Sequence, residues 1–231
     1  KTQLEELLGD DTKIQGSAPK VIPLGLSKPI PERKISQKTC EFFGVTTTNS
    51  DKPKIYKHHY PYYDSEGNHV ATKLRRVADK TFNVEGKTGK ALLFGQNLFS
   101  SNNLKTITIC EGEIDALSVF EMFAPNSYPV VSVRTGAAGA VTDCKKQYEF
   151  INGFEKIYLC FDNDEPGREA SRRVAELFPP KKVHIVNLNL KDANEYLMQD
   201  KQKEFKVRYY AAQTYTPEGI ILGENTWDLI A

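Results

Sequence analysis

From Thr106 onward the chain alternates short apolar runs with segments of helical pattern, and three of those runs end in acidic clusters. Ile107–Cys110 is followed by Glu111-Gly112-Glu113-Ile114-Asp115, and Ile157–Phe161 by Asp162-Asn163-Asp164. Val183–Leu190 is followed by Lys191-Asp192-Ala193-Asn194-Glu195. Strand–helix alternation builds an α/β fold with a mainly parallel sheet, right-handed crossovers and flanking helices. Such a sheet gathers the carboxyl ends of its strands along one edge, so clusters distant in sequence converge there. Five carboxylates crowded together repel one another unless divalent cations sit between them. The pattern therefore suits metal-assisted phosphate chemistry.

The expected order is strand 106–110, helix 113–123, strand 129–133, helix 139–152, strand 156–161 and helix 165–178. Strand 182–188, helix 192–199 and an outer helix near 201–212 complete it. Upstream, Ser36 to Phe43 reads as a short helix stopped by Gly44. Residues 54–63 and 70–77 read as two strands joined by the turn cluster Asp64-Ser65-Glu66-Gly67-Asn68. Short strands are expected at 81–84 and 91–94. The whole divides into a linker or extended arm over 1–32, rich in Pro and Gly, and a smaller basic α+β subdomain over 33–104. The main α/β domain follows over 105–215, and 216–231 reads as a connector toward a further domain.

The net charge of +1 conceals an asymmetry. Residues 1–105 carry 17 Lys+Arg against 11 Asp+Glu, and residues 106–231 carry 14 against 19. A basic half beside an acidic half suits a protein that holds polyanions and chelates cations, although such swings also arise by chance. No run of about 18 apolar residues exists, so a membrane span is not expected. The chain begins at Lys1 with no apolar signal segment, and reads as a piece of a longer protein. Cys40, Cys110, Cys144 and Cys160 show no Cys-x-x-Cys spacing, which argues against a zinc site or a disulfide framework and fits a reducing cytoplasm. Adjacent His58 and His59 fall on opposite faces of their strand, one expected to be buried and one solvated.

Each acid has a bland reading beside the functional one. Glu111 follows a strand and reads equally as a solvated loop acid. Glu113 and Asp115 fall in a first helical turn, where the helix dipole favours negative charge, and for Glu113 that role alone suffices. Asp162 and Asp164 lie on one side of an extended segment, able to share a cation. Asp164 also reads as an N-cap ahead of Pro166. Asp192 reads as another N-cap. Arg168 sits in a first helical turn, unfavourable for a cation, which hints at an anionic partner; a surface pair with Glu165 or Glu169 is the alternative. Residues 134–140, Arg-Thr-Gly-Ala-Ala-Gly-Ala, allow close backbone approach to phosphate or simply tight packing. Lys73, Arg75, Arg76 and Lys80 cluster on and after a strand, where they can meet phosphates or merely solvent.

Taken together, Ile-Cys-Glu-Gly-Glu-Ile-Asp, Phe-Asp-Asn-Asp-Glu-Pro-Gly-Arg and Lys-Asp-Ala-Asn-Glu resemble a toprim domain, the fold shared by primases and topoisomerases. The likeness is to the primase half of the bifunctional primase–helicases of T-seven-like bacteriophages, and it extends over residues 33–215. The resemblance implies synthesis of short RNA primers on single-stranded DNA from ribonucleoside triphosphates, with Mg²⁺ or Mn²⁺. By motif, Glu111 corresponds to the family's general base or metal ligand, Asp162 and Asp164 to the metal-binding pair, and Asp115 and Asp192 to supporting acids. Lys73 and Lys80 resemble two nucleotide-contacting lysines, one residue further apart here than in the family; Arg75, Arg76 and Arg168 join them as candidate nucleotide or template contacts. The implied partners are the helicase and zinc-binding domains of the full-length chain and a DNA polymerase, in the host cytoplasm.

Two other functions use the same fold: a non-polymerising DNA-binding module of a helicase, and a toprim nuclease. A topoisomerase would need a tyrosine nucleophile on a large extra domain. Neither clustered zinc-binding cysteines nor a Walker-type loop occurs in these 231 residues. Template-sequence recognition is expected to be weak, so primer yields from matched and scrambled templates should be comparable. A strong preference for one template would contradict this.

Overall fold

Ser36 accepts the Thr39 backbone N–H and starts helix α1 (Gln37–Phe43), which Gly44 ends at φ 67°. Glycine adopts this left-handed conformation at no steric cost. The computed structural model describes residues 27–49, 55–100, 105–125 and 128–217. Most of the expected arm and connector lies outside them. After α1 come strands β1 (Thr46–Asn49), β2 (Ile55–Tyr63), β3 (His69–Arg76) and β4 (Phe82–Gly86). They form an antiparallel sheet in the order β1-β2-β3-β4.

The second sheet is built from β5 (Thr106–Cys110), β6 (Val130–Ser132), β7 (Lys156–Cys160), β8 (Val183–Ile185) and β9 (Gln213–Thr214). Its order is β6-β5-β7-β8-β9, parallel except for β9, which runs antiparallel to β8. Helices α2 (Glu113–Phe123), α3 (Ala140–Lys146), α4 (Tyr148–Asn152), α5 (Glu165–Ala175), α6 (Ala193–Met198) and α7 (Gln202–Tyr210) connect and flank the strands. This is the mixed α/β fold with a mainly parallel sheet that the sequence pattern implies.

Several expectations are corrected. The single helix expected over 139–152 is broken at Gln147, whose side-chain oxygen accepts from Gln96 at 2.9 Å. The Val186 N–H still donates to the Leu159 carbonyl of β7 at 2.9 Å, but residues 187 and 188 leave the ladder, and the Asn189 N–H donates to the Tyr196 hydroxyl at 2.7 Å instead of to a strand. Residues 91–94 form only an isolated bridge between Phe94 and Ser132, because Gly95 turns the chain at φ 79°. Both His58 and His59 are buried. The missed strand β1 explains the second: its Thr48 hydroxyl shares a hydrogen bond with His59 Nε2 at 2.6 Å.

Two apolar clusters hold the layers together. One lies between α3, α5 and one face of the parallel sheet. The other joins Tyr60, Tyr62 and Ala71 of the antiparallel sheet to Cys110, Leu117, Val130 and Tyr209. The two sheets therefore share a core, and the space between them is framed by fixed walls. Within it Tyr209 stacks on Tyr158 with ring centroids 4.3 Å apart, and its hydroxyl shares a hydrogen bond with Thr108 at 2.7 Å. Replacing Tyr209 with Ala should cost about 3–5 kcal/mol in urea unfolding, and replacing it with Phe only about 1 kcal/mol. Equal costs for the two variants would contradict this packing.

Candidate active site

The register of the parallel sheet brings the first acids together. Cys110, the last residue of β5, stands beside Cys160, the last of β7. Glu111 and Asp162 follow within two residues of those ends and therefore emerge side by side. The Asp162 backbone N–H donates to Glu111 Oε2 at 3.4 Å, and the Ala137 N–H donates to Oε1 at 3.2 Å. Gly167 makes this approach possible: a Cβ there would lie 2.2 Å from the Asp162 carbonyl oxygen and 3.1 Å from Glu111 Oε2. Asp115, in the first turn of α2, accepts the Asn194 N–H at 3.2 Å. Asp192 caps α6 by accepting the Glu195 N–H at 2.8 Å.

Glu111, Asp115, Asp162 and Asp192 line one cleft of about 640 Å³, which Lys73, Arg75 and Lys80 also line. Three of the candidate residues lie elsewhere. Asp164 caps α5 by accepting the Gly167 N–H at 2.9 Å and is absent from the cleft wall. Its charge still acts on Glu111. Arg76 falls on the opposite face of β3 from Lys73 and Arg75, because side chains alternate along a strand. It pairs there with Asp79 at 3.3 Å. Arg168 is exposed and pairs with Glu165 at 3.0 Å and with Asn163, the bland alternative its sequence position allowed.

The cleft acids repel one another. Burial, then the charges of Glu111 and Asp192, push Asp162 up to about 7. Burial, then Asp192 and Asp162, hold Asp115 well above the usual carboxylate range. Glu111 is raised chiefly by burial, partly offset by the two N–H groups that point at it. A donor set of crowded, hard carboxylate oxygens fits a divalent cation such as Mg²⁺ or Mn²⁺. Among the described residues, no group of three or more His, Cys, Asp or Glu side chains is placed to hold a metal ion.

The sequence reading missed Glu113. Its side chain is 4% exposed and accepts from the Tyr62 hydroxyl and from Lys73 Nζ, the latter at 2.7 Å. Lys73 Nζ also donates to the Arg134 carbonyl at 3.0 Å. An acid in a first helical turn looks self-sufficient in sequence; only the neighbouring sheet reveals its partners. Asp143 is the second omission. It is 2% exposed and takes the Arg134 backbone N–H at 2.8 Å and its guanidinium through Nε at 3.0 Å. This fixes the small-residue loop whose Gly136, at φ 66° and ψ −165°, occupies a region almost confined to glycine.

Residues 108–197 match the Toprim-like family model. The chain is 36% identical over 189 residues to the DNA helicase/primase of Enterobacteria phage T3, covering 82% of this chain and 32% of that protein. The crystal structure of the primase fragment of the bacteriophage T7 primase–helicase matches with a TM-score of 0.73 and 34% identity, covering 84% of this chain and 80% of that one. A T7 assembly of lagging-strand DNA polymerase with primase domains bound to an RNA/DNA hybrid and dTTP matches at 0.73 and 36%, covering 82% and 93%. Fold and acid cleft thus define a toprim module, a class that generally works with divalent metal ions. The chain belongs to the family formed by the primase portions of phage primase–helicases. It spans about a third of the length of the curated relative it matches. No helix among the described residues is long and apolar enough to cross a membrane.

The electrostatics give a pH dependence. Asp162 titrates near 7 in the folded protein against an ordinary value of 3.8, so the folded state binds this proton more tightly. The resulting stability is complete below about pH 4 and is lost as pH rises through about 7. Without divalent metal, the unfolding midpoint should fall from about pH 5 to about pH 7.5 more steeply in the unmodified chain than in Asp162→Asn. Added Mg²⁺ should raise it more at the alkaline end. Parallel profiles for the two proteins would contradict the crowding.

Proposed function

We propose that this chain synthesises short RNA primers on single-stranded DNA by Mg²⁺-dependent nucleotidyl transfer. The observation that carries this reading is the convergence of Glu111, Asp115, Asp162 and Asp192 in one cleft opposite Lys73, Arg75 and Lys80. Glu111 and Asp162 would hold the cation, supported by Asp115 and Asp192. Asp164 would act from its cap through its charge on Glu111. A bound Mg²⁺ lowers the pKa of a coordinated hydroxyl and offsets charge on the transferring phosphoryl group.

The chain's own residues supply the rest. Lys73 would orient the triphosphate and neutralise it, and Arg75 and Lys80 would take phosphates of the nucleotide or of the template. Lys73 is held in place for this by Glu113 and the Arg134 carbonyl. The proton of the attacking 3′-hydroxyl would pass to a cleft carboxylate, Glu111 if it is not engaged by the cation. Arg76 and Arg168 have surface partners and contribute little to this chemistry. In the full-length protein the module would work beside a helicase and a zinc-binding module and hand its primers to a DNA polymerase, in the host cytoplasm.

Incorporation of labelled ribonucleotides on single-stranded DNA with Mg²⁺ tests the reading. Asp162→Asn and Glu111→Gln should each lower the rate on the order of 10²–10³-fold, whereas Arg76→Ala should stay within about threefold. An unmodified chain that binds DNA and makes no primer would favour the non-polymerising module. DNA degradation without nucleotides would favour the nuclease.

A further inference from the structure

The inward face of the antiparallel sheet does not stop at the core. His58, Arg75 and Phe82 stand opposite one another in one cross-strand row, and Tyr60, Lys73 and Val84 form the next. On β2 these positions are fully buried, and on β3 half-buried. On the edge strand β4 the same face carries two large apolar residues in the open, Phe82 at 53% exposure and Val84 at 45%. Exposed apolar side chains in adjacent rows of an edge strand are a liability unless something covers them.

Phe82 is also flanked by charge. Lys73 Nζ lies 4.6 Å and the Arg75 guanidinium 5.9 Å from its ring centroid. Phe82, Arg75 and Lys80 line the same cleft as Glu111, Glu113, Asp115, Asp162 and Asp192. An open aromatic ring set among cations is the arrangement that binds single-stranded nucleic acid: the base stacks on the ring and the cations take the phosphates.

The geometry points to Phe82 as a stacking platform for one base of the single-stranded DNA template. Val84 extends the apolar strip under the neighbouring base, and Arg75 and Lys80 contact the backbone. This rests on the primase reading and deepens it. Two consecutive open apolar rows fit successive bases of a strand better than the single base of a nucleotide. The triphosphate would have its own place between Lys73 and a cation held at the acid wall of the cleft. Because stacking uses the π-face that every base has, this contact holds the template without reading its sequence.

The test uses the 231-residue chain and labelled oligo(dT) without nucleotides. Phe82→Ala should weaken binding roughly 5- to 100-fold while leaving its salt dependence unchanged. Phe82→Leu should fail to restore affinity and Phe82→Trp should restore it. Arg75→Ala, by contrast, should reduce the salt slope by about one. The only natural tryptophan is Trp227, so in a Trp227→Phe background the emission of Phe82→Trp should be quenched by oligo(dT). Unchanged affinity in Phe82→Ala, or full rescue by Leu, would overturn the platform. A raised KM for ribonucleotides with intact DNA affinity would assign the ring to the nucleotide and overturn the template assignment. Parallel primer synthesis by the unmodified chain keeps the two readings apart: DNA affinity can depend on Phe82 whether or not primers are made.

Discussion

The pairing of Cys110 with Cys160 across β5 and β7 is the constraint on which the site depends. It forces the chain to leave two neighbouring strands at one level, and the next residues able to carry charge are Glu111 and Asp162. Gly167 then lets α5 press against the strand end without a Cβ in the way. The like charges that result are costly in a half-buried cleft, and the raised titration of Asp162 and Asp115 expresses that cost. A divalent cation removes it. On the proposed reading, the fold stores an electrostatic imbalance that a bound divalent cation would relieve.

The antiparallel sheet supplies the opposite sign. It is tied to the parallel sheet by a shared apolar core and by a compact set of polar contacts around Lys73, Glu113, Tyr62 and Arg134. Glu113 comes from the same short turn as Glu111 and Asp115, yet it serves the other wall. One acidic cluster in the sequence is thus divided between two tasks: facing the cleft and gripping the basic sheet. Asp143 does comparable work for the loop beside Glu111, holding Arg134 by both backbone and side chain.

Much of this was legible in the sequence. The alternation of apolar and helical segments gives the parallel sheet, and a strand followed by acids places Glu111 and Asp162, whereas Asp192 lies seven residues beyond β8 and is placed by its cap on α6. Strand alternation separates Lys73 and Arg75 from Arg76, although composition alone groups them. Less legible was anything decided by a distant partner. The β1 strand is only four residues long and rich in threonine. Glu113 and Asp143 find their partners 40 and 9 positions away, in Lys73 and Arg134. Asp164 carried both readings in the sequence, partner of Asp162 and N-cap, and the structure places it as the cap of α5.

The central claim is that Glu111 and Asp162 share one divalent cation. Anomalous diffraction from crystals soaked in Mn²⁺ addresses it without reference to turnover. The account predicts a peak within coordination distance of both carboxylates, and its loss in Asp162→Asn. Manganese bound only at the exposed Asp164–Glu165 side of α5, or no ordered ion between the two strand ends, would contradict it.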